Sequence, residues 1–411
     1  MLFRSDYAEA HSNRATALHE LKRHDAALQS YERALRLDPR YALAYYNRGN
    51  LLRELGRNQE ALQSYDQALK IRPADAEALN NRGNALRDLR RFAEAVESYQ
   101  QALTINPASS DALNNLGMAL QSLQRYEEAL QSFERALQLK PGYAEALNNS
   151  GTALQSLHRH EAAIQCFDAA LQANPDYAQA WANRGLVLLQ LKQYPEALSC
   201  YDTALRIWPD GDFLLGQWLF LKGMNCDWAN LKTQIGKVNA GILAGRKVIS
   251  PFNCFAVCDV PAVQMRAAAI WAREKAPPQP VPPERKKHAP HAKIRIGYFS
   301  ADFREHPVAS LSAALFETHD RARFEIYAFS FGPDTGDGMR RRLEKAFDHF
   351  IDVQKLDDAA VAAMAVELEI DIAVDLGGFT QDCRTGIFAL RAAPVQVNFL
   401  GYAGTMGVEY M

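Results

Sequence analysis

The sequence predicts two kinds of fold in one chain: an α-solenoid of six helix-pair repeats, followed by an incomplete α/β domain with a parallel sheet. Two observations carry this prediction. Small, aromatic, alanine and proline residues return every 34 positions through the first half of the chain. From about residue 293 onward, short apolar runs alternate with helical stretches, which is typical of a parallel sheet with helices on its faces.

The repeat is marked by prolines at an unbroken spacing of 34 residues: Pro39, Pro73, Pro107, Pro141, Pro175 and Pro209. A glycine recurs from Gly49 to Gly185, with Ala15 in the first copy, and an aromatic residue recurs from Tyr31 to Tyr201. The glycine lets a second helix approach the first, the aromatic ring fills the contact, and proline ends the second helix. These units resemble the tetratricopeptide repeat, which stacks helix pairs into a solenoid with a concave surface.

The composition changes along the chain predict four segments. Residues 8–211 form the tetratricopeptide repeat solenoid, and residues 212–276 form a helical bridge in which the 34-residue period is lost. Residues 277–292 are rich in proline, which favours an extended, semi-rigid linker. Residues 293–411 form the partial α/β domain.

An asparagine also recurs with the period, two positions before each packing glycine, at Asn47, Asn81, Asn115, Asn149 and Asn183, with Asn13 in the first copy. Two helical steps turn the chain by about 200°, so these side chains point away from the partner helix and towards the groove. A row of amides can grip the backbone of an extended peptide. The alternatives are a solvated polar position or asparagines that bond one another between neighbouring helices. Because asparagine recurs in every repeat, we favour peptide binding.

Three polar or glycine-rich segments stand at the ends of strands of the predicted sheet, at residues 300–307, 375–380 and 401–407. Parallel strands bring such loops to one edge, where ligands bind. Glycine lets the backbone approach a ligand, and neighbouring N–H groups can hold an anion such as a phosphate. His306 in the first loop is either an acid–base group or a structural hydrogen-bonding residue.

Composition and motifs exclude several classes of function. The net charge of −2 excludes a generally basic nucleic-acid binder, and no apolar run is long enough to span a membrane. The amino-terminal sequence lacks a signal peptide, and the six scattered cysteines fit free thiols in a reducing cytoplasm. Cys254 and Cys258 have no second pair with zinc spacing, so no metal is expected. The phosphate-loop, dinucleotide and serine-hydrolase motifs are missing.

The arrangement resembles the protein O-GlcNAc transferases, and more closely their bacterial, SPINDLY-like relatives. The resemblance is carried by the asparagine-laddered repeats and by the runs CDW, IRIGYFSADFREHPV, DLGGFT and RAAPVQVNFLGYAGTMG. It implies two Rossmann-like domains facing each other across a cleft. It also implies transfer of N-acetylglucosamine from UDP-GlcNAc to Ser or Thr of proteins held along the solenoid groove. The resemblance further implies a reaction that inverts the anomeric centre and uses no metal or other cofactor.

The resemblance assigns roles to individual positions. His306 matches a histidine that lies near the reacting sugar, so it is the candidate catalytic residue. The row from Asn47 to Asn183 matches the peptide-gripping ladder. Ala403 stands where the family has proline, in a loop that approaches the donor and whose matching residues are Gly401, Tyr402, Gly404 and Thr405.

The chain stops at Met411, before the second Rossmann-like domain, which by the resemblance would be the main donor-binding half and hold most of the nucleotide contacts. We therefore expect that the ancestral function is protein glycosylation. We also expect that residues 1–411 alone have little or no glycosyltransferase activity. The alternative is a non-enzymatic tetratricopeptide scaffold, in which the α/β part only folds or recruits a partner.

Overall fold

The structure is a computed structural model that describes residues 7–278, 291–380, 382–402 and 404–411. Most of the predicted proline-rich linker lies outside these residues, and so does Ala403. The chain divides into two compact units, of which the first ends at Gln193 and the second begins at Tyr194. The four segments expected from the sequence stay a prediction.

Helices account for most of the first unit, and each helix of the repeats spans 13 or 14 residues. Within a repeat the two helices pack on each other, and the second helix also packs on the first helix of the next repeat. Their bounds are α1 Ala8–Glu20, α2 His24–Leu37, α3 Ala42–Glu54, α4 Asn58–Ile71, α5 Ala76–Asp88, α6 Phe92–Ile105, α7 Ser110–Ser122, α8 Tyr126–Leu139, α9 Ala144–Ser156, α10 His160–Ala173 and α11 Ala178–Gln190.

The glycine and the aromatic residue of the repeat meet as the sequence predicts in the repeats of Gly49, Gly83, Gly117 and Gly151. A Cβ on Gly83 would lie 2.5 Å from the ring of Tyr99, and one on Gly117 would lie 2.4 Å from the ring of Phe133. Both rings are fully buried. The Tyr99 hydroxyl donates a hydrogen bond to Oδ1 of Asn84 at 2.8 Å, which satisfies a polar group inside the core. The close approach of the two helices therefore depends on glycine at this position.

The second unit begins with helices that include the last helix of the predicted repeats: α12 Tyr194–Ile207, α13 Leu214–Met224, α14 Leu231–Leu243, α15 Pro251–Val257 and α16 Pro261–Lys275. The sequence predicted α16 with these bounds but not the short α15. That helix begins with Pro251, and the Ser250 side chain accepts a hydrogen bond from the backbone N–H of Asn253 at 3.3 Å. None of the helices in the described ranges combines the length and apolar character of a membrane crossing.

The remainder of the second unit is a parallel sheet with the strand order β3-β2-β1-β4-β5. The sequence predicted this alternation of strands and helices, and the structure confirms it. The bounds are β1 Ile294–Ser300, α17 Pro307–Glu317, β2 Phe324–Ser330, α18 Gly338–Ala346, β3 His349–Asp352, α19 Asp358–Glu367, β4 Ile372–Asp375, α20 Thr385–Ala389 and β5 Val395–Asn398.

Each face of the sheet buries its own core. Helices α17 and α18 cover one face, where Phe316 packs among residues such as Tyr298 and Val374. Helices α19 and α20 cover the other face, where Phe299 stacks on the ring of Phe329 at a centroid distance of 4.4 Å. Strand β1 lies between β2 and β4, and β4 pairs with β5. Because all the strands are parallel, the loops after β1, β4 and β5 leave the sheet at one edge.

Candidate functional site

The carboxyl ends of β1, β4 and β5 carry the three loops that the sequence singled out. Ser300 ends β1, Asp375 ends β4 and Asn398 ends β5. Phe299 pairs with Asp375, and Asp375 pairs with Asn398, so the three strand ends are neighbours in register. His306 and the 401–405 loop therefore belong to the same edge of the sheet.

His306 is the residue that precedes α17, and its ring caps that helix. The backbone N–H of Val308 donates a hydrogen bond to its Nδ1 at 3.3 Å. The Asp302 Oδ2 lies 3.6 Å from the same nitrogen, beyond hydrogen-bond distance for this pair. An Nδ1 that accepts leaves the proton of the neutral ring on Nε2. About a third of the side chain is exposed, so Nε2 can donate to a ligand or, in the other tautomer, accept a proton.

The loop that carries His306 is held by Asp337, a residue that the sequence analysis missed. The Asp337 Oδ2 accepts a hydrogen bond from the backbone N–H of Glu305 at 2.9 Å. Its Oδ1 accepts from the N–H of Arg340 at 2.7 Å and so caps α18. The Thr335 hydroxyl and these backbone amides lower the pKa of Asp337 to about 2. An aspartate directly before a helix is an N-cap signal, but its contact with Glu305 depends on tertiary packing.

The second loop turns around the carboxyl group of Asp375. Its Oδ1 accepts hydrogen bonds from the N–H groups of Gly377 at 2.9 Å and Gly378 at 3.1 Å. The Thr380 hydroxyl then donates to the carbonyl of Gly377 at 2.9 Å. The loop is therefore a compact turn whose backbone N–H groups are engaged by its own aspartate.

The third loop rests against the second at Gly401, and Gly404 packs within the third loop itself. A Cβ on Gly401 would lie 1.8 Å from the carbonyl oxygen of Leu376, and one on Gly404 would lie 2.5 Å from the Tyr402 hydroxyl. Tyr402 itself is buried, and its ring meets that of Phe379 edge-on at a centroid distance of 5.6 Å. Burial raises the pKa of Tyr402 to about 12, so the phenol stays neutral.

The residues predicted to contact the donor differ in their exposure to solvent and in their packing. Thr405 is exposed, and its hydroxyl accepts a hydrogen bond from the backbone N–H of Gly407 at 3.3 Å. Gly401 and Tyr402 hold the loop against its neighbours. Helix α16 supports the loop from below, because a Cβ on Gly407 would lie 2.8 Å from the carbonyl oxygen of Met265. Their role in donor binding stays a prediction.

The periodic asparagines of the first unit bond between neighbouring repeats. The Asn115 Nδ2 donates to Oδ1 of Asn80 at 3.0 Å, and the same bond joins Asn149 to Asn114 and Asn183 to Asn148, at 3.0 and 2.9 Å. Asn81 donates instead to the hydroxyl of Tyr46 and to Oδ1 of Asn50, both at 3.0 Å, and Asn47 is half-buried. The contact considered as an alternative to peptide binding is therefore present, and the peptide-binding role stays a prediction.

A polar cavity of about 270 Å³ lies in the first unit beside this row of asparagines. Its lining includes Asn80, Asn81, Glu77 and Asp111. Glu77 and Asp111 stand at the same position of consecutive repeats, a regularity that the sequence analysis passed over. The Asp111 Oδ1 accepts a hydrogen bond from the hydroxyl of Tyr143 at 2.9 Å, so repeat-to-repeat bonding extends along this surface.

Comparisons with known proteins match both units. A tetratricopeptide repeat model matches residues 2–42, 12–76, 46–110, 80–144 and 148–212, which together cover half of the chain. The model of glycosyl transferase family 41 matches residues 276–411.

Two curated relatives are peptide N-acetylglucosaminyltransferases by name. The chain is 32% identical over 126 residues to a probable UDP-N-acetylglucosamine–peptide N-acetylglucosaminyltransferase, SEC, of Arabidopsis thaliana, covering 31% of the chain and 13% of that protein. It is 36% identical over 120 residues to the UDP-N-acetylglucosamine–peptide N-acetylglucosaminyltransferase of Caenorhabditis elegans, covering 29% of the chain and 10% of that protein. The chain thus spans a small part of the length of these relatives.

Among solved structures, a variant of the O-GlcNAc transferase of Thermobaculum terrenum is similar at 27% identity, with a TM-score of 0.46. The match covers 74% of this chain and 53% of that one. The family matches show that this chain is a tetratricopeptide repeat protein, and its residues 276–411 are similar to glycosyl transferase family 41.

Proposed function

We propose that this protein takes part in O-linked glycosylation of proteins, with UDP-GlcNAc as the donor and Ser or Thr hydroxyls as acceptors. The observation that carries the proposal is the family 41 match over residues 276–411, the segment whose three loops meet at one sheet edge. The names of the two curated relatives support this donor and a peptide acceptor. The tetratricopeptide solenoid supports an extended peptide as the acceptor, bound in its groove in the cytoplasm.

The proposed reaction is a single displacement that inverts the anomeric carbon. The acceptor oxygen forms a bond to that carbon as the bond to the UDP oxygen breaks, and UDP leaves. His306 is the candidate group that accepts the hydroxyl proton or donates a hydrogen bond to the sugar, because its Nδ1 is anchored by Val308 and its Nε2 is not. The loop with Gly401, Tyr402, Gly404 and Thr405 is proposed to receive the nucleotide through backbone N–H groups. The N–H groups of Gly377 and Gly378 are engaged by Asp375 instead. No metal or other cofactor is part of this proposal.

Calorimetric titration of residues 1–411 with UDP, UDP-GlcNAc and a Ser/Thr-rich peptide tests the proposal. Micromolar binding of the nucleotides, about −8 kcal/mol, is the expected result. Peptide binding without nucleotide binding would support the non-enzymatic scaffold instead. A transfer assay on the same sample tests the separate expectation that these residues alone show little activity.

His306→Ala gives a sharper form of this test. We expect the variant to bind UDP-GlcNAc about fivefold more weakly, the equivalent of one hydrogen bond, and to bind UDP unchanged. His349→Ala is the matched control, because His349 lies on β3, the edge strand farthest from β5, and its Nε2 lies 3.0 Å from Oε1 of Glu325. If His306→Ala weakened the binding of UDP and of UDP-GlcNAc equally, the substitution would act by disturbing the loop and not by removing a contact with the sugar.

A further inference from the structure

Asp375 is a buried carboxylate with half of its hydrogen-bonding capacity unused. Only 4% of the residue is exposed. Its Oδ1 accepts the two glycine N–H groups of the turn that follows β4, whereas its buried Oδ2 has no hydrogen-bond partner among the described residues. A buried polar atom without a partner is costly, so its retention calls for a reason.

The turn that Asp375 organises is the surface on which Gly401 and Tyr402 of the third loop rest. Gly378 has a φ of +58°, and a Cβ there would lie 2.4 Å from Cβ of Tyr402 and 2.9 Å from Nδ2 of Asn398. The Asp375 carbonyl also accepts hydrogen bonds from the N–H of Phe399 at 2.8 Å and from Nδ2 of Asn398 at 3.3 Å. One residue therefore fixes the second loop by its side chain and the start of the third loop by its backbone.

The surroundings of Asp375 disfavour its charge. Burial raises the pKa of this carboxyl, and the opposing contributions come from the amides of Gly377, Gly378 and Asn398 rather than from a cation. The titratable groups that it acts on are the Cys383 thiol and the Tyr410 phenol, whose pKa values burial also raises. The Asp375 Oδ1 can accept the two glycine N–H groups whether the carboxyl is protonated or ionised. The turn therefore requires an acceptor oxygen at this position but not a negative charge.

We propose that Asp375 is a positioning residue of the nucleotide-sugar site: it holds the Gly377–Gly378 turn, and through that turn the 401–405 loop, in the arrangement that receives the donor. The identity of the ligand, a nucleotide sugar, rests on the proposed function. The positioning role of Asp375 rests on the contacts described above. It implies that an amide side chain can replace the carboxyl, because an amide oxygen accepts the same two N–H groups.

The experiment compares Asp375→Asn and Asp375→Ala with Asp352→Ala. Asp352 is the matched control: it ends β3 and its Oδ1 accepts the N–H of Gln354 at 2.9 Å. It is exposed, and β2 and β1 separate its strand from β4. The affinity for UDP is measured by calorimetry. We expect Asp375→Ala to bind about tenfold more weakly, Asp375→Asn to bind within about threefold of the wild type, and Asp352→Ala to bind unchanged.

Hydrogen exchange of residues 376–380 and 399–405 provides a readout that needs no nucleotide. Faster exchange in both loops of Asp375→Ala, but not of Asp375→Asn, would support the positioning role of Asp375. This result would stand even if the wild type bound no UDP and the proposed function failed. Unchanged exchange and affinity in Asp375→Ala would overturn that role. If Asp375→Ala does not fold, Asp375→Ser, which keeps an acceptor at shorter reach, takes its place. An Asp375→Asn variant as weak as the alanine variant would overturn the claim that the charge is dispensable.

Discussion

Alanine substitutions at Asn80 and Asn115 separate the two roles that the periodic asparagines can have. The Asn115 Nδ2 donates to Oδ1 of Asn80 at 3.0 Å, across the boundary between two repeats. Asn80→Ala removes the acceptor of that bond and a 3.4 Å bond from the Asn80 Nδ2 to Oδ1 of Asn81, and it leaves the Asn115 amide in place. Asn115→Ala removes the bond together with the amide that is predicted to grip a peptide.

The size of the effect follows from the single bond involved. A neutral hydrogen bond contributes about 1 kcal/mol net, and asparagine in a helix is about 0.7 kcal/mol less favourable than alanine. The two terms nearly cancel in a single variant, so the expected stability change there is small. The double-mutant cycle removes the propensity term, and we expect a coupling energy of about 1 kcal/mol between Asn80 and Asn115.

Two assays on the full chain complete this prediction. Native-state hydrogen exchange in α5 and α7 gives the local stability without assuming that the repeat array unfolds in one step. Titration with an extended peptide gives the binding role: Asn115→Ala is expected to weaken binding about fivefold and Asn80→Ala to leave it unchanged. A coupling energy of zero would refute the inter-repeat bond as a stabilising contact. Equal loss of peptide affinity in both variants would refute a direct grip by Asn115.

Three further predictions concern packing, the loop contact and pH. Gly117→Ala places a methyl group 2.4 Å from the ring of Phe133 and should destabilise its repeat by about 1–3 kcal/mol in hydrogen exchange, whereas Gly142→Ala, whose Cβ meets nothing, should not. Gly401→Ala should abolish measurable UDP binding in calorimetry without unfolding the solenoid, as checked by circular dichroism. Because the folded pKa of Asp375 is raised, its stabilising contribution is complete below the ordinary pKa of about 3.9 and is lost as pH rises through the raised value. Urea unfolding of Asp375→Asn should lack that decline, and an unchanged pH dependence would contradict it.

The solenoid could be predicted almost completely because its determinants are local and periodic. The contact of Gly83 with Tyr99 follows from a 34-residue repeat, since the ring needs the space that a side chain would fill. The sheet order could not be derived in the same way, because the position of β4 beside β1 depends on where its preceding helix packs. Helix α15 was missed because a seven-residue helix leaves too short a periodic pattern.

The candidate site could be located from the sequence but not assembled from it. Glycine after a strand predicts a close approach, yet only the structure shows that Gly401 approaches the carbonyl of Leu376. Asp337 and Glu305 are 32 residues apart and meet through tertiary packing. The amide of Asn115 bonds to Asn80 because the neighbouring repeat brings that side chain within hydrogen-bond distance. A helical-wheel argument considers one helix at a time and so cannot predict this contact.

Hydrogen exchange of residues 1–411 with and without UDP-GlcNAc tests the central claim most directly, because it reports where the donor binds. The account predicts protection concentrated in the loops after β1, β4 and β5, at residues 301–306, 376–380 and 399–405, with the solenoid helices unchanged. Donor binding that protects other residues and leaves these loops unchanged would contradict the assignment of the site to this edge of the sheet.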